Sequence, residues 1–172
     1  MRVAAAVLAL AAALALQTTL AGLTSGGASA VNLALVAVIY IALAFGPGAG
    51  LFAGTVGGLV QDALGGGIIG VGGFSKTLVG FVVGLLGAQF IVAQSLPRLV
   101  MFVSGTLMHE LCYQALYAIV EARAFRMHWS AALIQAAING FVGILAFAVV
   151  ESGPGLVQRR RARGATLSRR HY

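Results

Sequence analysis

Between Gly46 and Ala88, small residues return at every fourth position. Gly46, Gly50, Gly54 and Gly58 lead to Asp62, and after a Gly-rich turn Lys76 is followed by Gly80, Gly84 and Ala88. On a helix this spacing puts neighbours on one face, drifting by roughly 40° per step. Two helices with smooth ridges are therefore expected, each carrying a charge at its inner edge. Such ridges let membrane helices approach closely, because packing and hydrogen bonds drive association in lipid. Antiparallel neighbours would bring Asp62 and Lys76 to the same end. The expectation is that Asp62 and Lys76 approach within salt-bridge or water-bridged distance at the external end of the pair, with charge reversal at both positions restoring what a single reversal loses. Gly54, Gly58, Gly80 and Gly84 are expected at close helix contacts, so Leu at Gly58 or Gly84 should damage the fold more than Leu at Gly26. The intervening LGGGIIGVGGFS is too Gly-rich to sustain a helix and reads as a flexible re-entrant or surface loop.

Composition sets the class. Hydrophobic residues make up 60% of the chain and charged residues 9%, with a mean hydropathy of +0.98. Soluble domains carry about 25% charge, so the chain reads as an integral membrane protein. Its 172 residues suit one helical bundle. The single cysteine, Cys112, excludes an internal disulfide and reads as a small buried hydrophobe.

A spanning helix needs about 20 mostly apolar residues. Six candidates follow: Val3–Leu23, Val31–Phe45, Ala49–Leu64, Thr77–Leu96, Leu99–Val120 and His128–Val150. The second and third are short and meet at Gly46-Pro47-Gly48, a turn signal, so five full spans is the alternative count. The start imitates a signal peptide, with Arg2, an Ala/Leu run and Ala28-Ser29-Ala30, but the apolar run exceeds the usual length and is read as a retained first helix. With six spans, Arg2, Arg98 and the six arginines from Arg159 to Arg170 lie inside, against Lys76, Arg123 and Arg126 outside. The positive-inside rule then places both termini in the cytoplasm. Residues 1–153 form the bundle; residues 154–172 are expected as a disordered basic tail held near anionic lipid, without a nucleic-acid role.

A second polar set lies in the last two segments. Folding that hairpin about its loop sets Glu110 opposite Asn139 and Gln114 opposite Gln135, each pair spaced i, i+4 along its own helix. These are expected as interhelical hydrogen bonds, worth about 0.6 kcal/mol each. His109 and Glu110 together would be a proton relay or cation site under a transport reading, but adjacent helical residues point about 100° apart. No Walker-type loop, HExxH, paired Cys/His set or nucleophile elbow is present. Neither an enzyme nor a cofactor or metal site is expected.

The order Gln17-Thr18-Thr19-Leu20, Val31-Asn32-Leu33 and the segment GLFAGTVGGLVQDALGGGIIGVGGFSKTLVGFVVG from Gly50 to Gly84 resemble MreD, the rod shape-determining membrane protein family of bacteria. Gln61-Asp62, Gly70 to Gly73 and Ser75-Lys76-Thr77-Leu78 carry the specific information. The Gly-rich loop and long Arg tail depart from the family pattern. The resemblance implies a non-enzymatic scaffold of the cell-wall elongation complex in the inner membrane, with MreC as first partner, then MreB, RodA and penicillin-binding protein 2. It also implies a six-helix fold like the substrate-binding subunits of energy-coupling-factor transporters, which makes solute binding the alternative. A channel or proton pathway through His109, Glu110 and Asn139 is the third.

Overall fold

A computed structural model describes residues 2–23, 30–90 and 94–168. Within them the chain is all-helical: α1 (Arg2–Leu23), α2 (Leu33–Phe45), α3 (Pro47–Gly65), α4 (Val71–Gln89), α5 (Ser95–Val120) and α6 (Trp129–Ser168). Gly26 and most of the Ala28-Ser29-Ala30 pattern lie outside the described residues. Two helical stretches are long and apolar enough to cross a membrane, Val71–Gln89 and Trp129–Glu151. Shorter apolar stretches occupy Ala6–Thr19 and Leu33–Phe45.

The centre of the bundle is α2. Its sequence LALVAVIYIALAF is apolar on every face, which suits a helix enclosed by others. Among the described residues it touches all five other helices, while α1 touches α2 and α3 and no other helix. One core cluster joins Leu35, Val36, Ile39 and Ala42 to Val79 and Val83 of α4 and Met101 and Phe102 of α5. A second joins Leu10 and Leu14 of α1 to Ala34, Val38 and Ile41, and to Ala53 of α3. Large apolar side chains also cover the outside: Phe52 is 70% exposed, Ile119 75% and Val149 71%. Apolar surface distributed this widely suits a lipid surrounding better than water.

Two boundaries differ from expectation. The sequence reading starts the fourth helix at Thr77, yet α4 begins at Val71 and leaves only Gly66–Gly70 between helices. Glycine is unfavourable in a helix by about 1 kcal/mol relative to Ala, but here close packing against α3 requires it. At the other end, α6 continues past Pro154 to Ser168 where a disordered tail was expected. Its Gln, Arg, Ala and Leu residues are good helix formers.

Candidate functional site

The α3–α4 hairpin is the most extensive helix contact in the molecule, and its geometry follows from missing side chains. A Cβ placed on Gly54 would stand 2.7 Å from the Thr77 nitrogen, one on Gly58 2.5 Å from the Gly73 Cα, and one on Gly84 2.5 Å from the Pro47 Cα. On Gly80 it would meet the Gly50 carbonyl group and, at 3.0 Å, Val38 of α2. All four glycines therefore lie where backbones touch. The Thr55 and Thr77 hydroxyls, 2.8 Å apart, add a polar link across the same seam. By contrast, added atoms at Gly46 and Gly48 meet nothing within 4 Å, although the backbone of Gly46 and Pro47 lies against Gly84.

Asp62 departs from its expected partner. Its Oδ2 accepts hydrogen bonds from the backbone N–H of Gly70 at 2.9 Å and of Gly73 at 3.1 Å. Oδ1 rests against Gly72, where a Cβ would collide with it. The first N–H groups of a helix lack intrahelical partners and carry partial positive charge, so the carboxylate binds the start of α4. Among the described residues the ion pairs are Arg98–Glu151 at 2.6 Å and Arg123–Glu121 at 2.7 Å. No direct Asp62–Lys76 ion pair forms. Lys76 sits deeper along α4, 2% exposed, where it interacts electrostatically with Asp62 and with Glu110 of α5.

The loop expected to be flexible is tied at several points. Gly66 and Gly70 adopt positive φ, 67° and 105°, conformations that favour glycine. The Tyr117 hydroxyl of α5 accepts the Ile68 N–H at 3.0 Å. Behind it Tyr117 stacks with Tyr113, ring centroids 4.8 Å apart, and Tyr113 with His109 at 5.6 Å. Asp62 and Tyr117 thus fix the turn from two sides. Sequence reasoning missed Tyr117, since one tyrosine in an apolar helix carries no positional signal.

The polar groups of α5 and α6 also pair differently. Asn139 donates through Nδ2 to the Thr106 hydroxyl at 3.2 Å and accepts the Asn32 N–H at 3.0 Å. Asn139 is thereby occupied by Asn32 and Thr106, and the expected Glu110–Asn139 bond does not form. Thr106 precedes Glu110 by one helical turn. Asn139 therefore lies one helical turn along α5 from the residue expected opposite it. Gln135 is half-buried on α6, and Gln114 half-buried on α5.

Asn139 serves a larger assembly at the start of α2. The Asn32 side chain caps that helix by accepting the Leu35 N–H at 3.1 Å. From α1, Gln17 accepts the Leu33 N–H at 2.7 Å and donates to the Val31 carbonyl at 3.1 Å. Here Asn32 is 8% exposed, Gln17 6%, and Asn139 and Thr106 fully buried. An Asn directly before an apolar run is a readable cap signal. The partners Gln17 and Thr106 become visible only in three dimensions.

Comparison with family models, with curated proteins and with solved structures returns no match. Function must therefore be argued from this geometry. Asp62, Thr55–Thr77, Gln17 and Thr106–Asn139 link neighbouring elements by hydrogen bonds, whereas Gln61 Oε1 and His109 Nδ1 are buried without a hydrogen-bond partner among the described residues. His109, 2% exposed, faces inward, while its neighbour Glu110 is half-buried. Among the described residues no group of three or more His, Cys, Asp or Glu side chains is placed to hold a metal ion.

Proposed function

We propose that this chain is a non-catalytic scaffold of the bacterial cell-wall elongation complex, an MreD-like multi-pass protein of the inner membrane. In this reading all six helices cross the bilayer and both termini are cytoplasmic. The short α2 crosses within the shelter of its neighbours. The chain binds MreC, and through it joins MreB, RodA and penicillin-binding protein 2 in maintaining rod shape.

The observation that carries the reading is the segment from Gly50 to Gly84. The residues that resemble the family are those that build the α3–α4 hairpin: the glycine ridges, Asp62 at the start of α4, and buried Ser75 and Lys76. A solute-binding subunit needs a concave pocket with a few convergent polar groups. In this chain Asn139, Thr106 and Ser75 are fully buried and bonded to other helices or to their own backbone. The open grooves between helices are apolar. Recognition of another membrane helix is the chemistry that such a surface supports.

The test is copurification of the full chain from membranes with a co-expressed MreC-like single-pass protein. Recovery of a stoichiometric complex is expected. Tight binding of a vitamin-like solute, with no single-pass partner recovered, would replace the scaffold with the transporter-subunit reading.

A further inference from the structure

Two fully buried polar side chains, Lys76 of α4 and His109 of α5, are each 2% exposed. The Lys76 ammonium takes part in no hydrogen bond or ion pair among the described residues, and the His109 Nδ1 has no hydrogen-bond partner there either. We propose that the two share an internal water site, in which water accepts from the Lys76 ammonium, meets the His109 Nδ1 and bridges toward the Asp62 carboxylate. The site is independent of which partner the chain binds.

Contacts on either side set these two residues at one level. On the side away from the α3–α4 turn, a Cβ built on Gly105 of α5 would lie 3.4 Å from Val79 and 3.2 Å from Val83 of α4. At the turn itself, the Tyr117 hydroxyl accepts the Ile68 N–H at 3.0 Å. The two helices therefore run antiparallel. One turn from Val79 toward Ile68 reaches Lys76, and one turn from Gly105 toward Tyr117 reaches His109. Each belongs to the buried stripe of its helix, Lys76 with Val79 and Val83, His109 with Phe102 and Gly105. Lys76 also interacts electrostatically with Asp62 of α3 and Glu110 of α5, although it pairs directly with neither.

Surroundings of both signs select water. An ammonium only donates and a carboxylate only accepts. A bound anion would be drawn to Lys76 but repelled by Asp62 and Glu110, and could donate to neither. A bound cation would meet the ammonium, and among the described residues no group of three or more His, Cys, Asp or Glu side chains is placed to hold a metal ion. An acyl chain would leave Lys76 and His109 unsatisfied, the costly outcome for buried polar groups. Water both donates and accepts, and suits Nδ1 in either tautomer. Buried waters occupy such positions, making about three hydrogen bonds to groups that otherwise lack partners. On Asp62, Oδ2 already takes two backbone N–H groups, which leaves Oδ1 to accept from the water.

Lys76 is the only lysine in the chain, so isotopic labelling of lysine nitrogen gives a single side-chain ammonium signal. The experiment is solid-state NMR on the full chain in lipid bilayers, labelled at Lys, His and Ile nitrogen, reading magnetisation transfer from water protons. Transfer to the Lys76 Nζ and the His109 Nδ1 should be several-fold faster than to the backbone N–H of Ile39, which lies in the apolar core. Lys76→Met should slow the transfer to the His109 Nδ1 several-fold, because the shared water then loses a donor. Transfer to Lys76 and His109 no faster than to Ile39 overturns the site. Contact of the Lys76 Nζ with lipid phosphorus in place of water overturns it in favour of a headgroup. Unchanged transfer to His109 in the Lys76→Met chain overturns the sharing of one site.

Discussion

Asp62 exemplifies how a single residue is legible in type but misread in partner. Its position at the end of a glycine ridge is plain from spacing, and so is the need to satisfy a buried carboxylate. The sequence offers Lys76 as the nearest opposite charge, whereas the fold offers two backbone N–H groups that are closer and otherwise unsatisfied. Asp62→Ala is therefore expected to cost about 1–3 kcal/mol by orphaning those donors, more than Lys76→Met costs, as read from melting in detergent. Exchange of the two charges should fail to rescue, since a lysine at position 62 accepts no hydrogen bond. Equal losses for both single variants and full rescue by the exchange would reinstate the ion pair. Glycines admit a cleaner comparison. Gly58→Leu and Gly84→Leu should lose at least about 1–3 kcal/mol through overpacking, whereas Gly48→Leu points into open space and should fold normally. Equal folded yields for all three would refute the contact.

At the scale of elements, α2 is the helix whose placement matters most, and its start is fastened by its neighbours. Burial of that start leaves backbone donors that water would otherwise satisfy, and Gln17, Asn32 and Asn139 supply the acceptors. Asn139→Leu is expected to destabilise the bundle by about 1–3 kcal/mol, because the Asn32 N–H then loses its partner. Thr106→Val should cost less, since it removes one side-chain contact and leaves the backbone cap intact. Thermal melts of the detergent-solubilised variants check the order; the reverse order would contradict it. Helix number and approximate positions were readable from apolar runs and from the turn at Gly46-Pro47-Gly48. The start of α4 was not readable, because its glycines argue locally against a helix and only packing against α3 and capping by Asp62 reverse that preference. Nor was the pairing of Asn139, since sliding one helix by a turn against its neighbour leaves the spacing within each helix unchanged.

For the whole molecule, the proposed function is binding, while Asp62, Gln17, Asn32 and Asn139 hold elements together and small residues close the hairpin. An apolar exterior with open grooves is the surface that remains for a partner. The measurement that meets the proposed function most directly is depletion of the chain in the cells that make it, followed by imaging of cell outline and of new lateral wall insertion. Rounding of the cells with loss of lateral insertion, rescued by the unaltered chain and by Gly48→Leu but not by Gly58→Leu, is the predicted result. Cells that remain rods after depletion and instead fail to take up an external solute would contradict it.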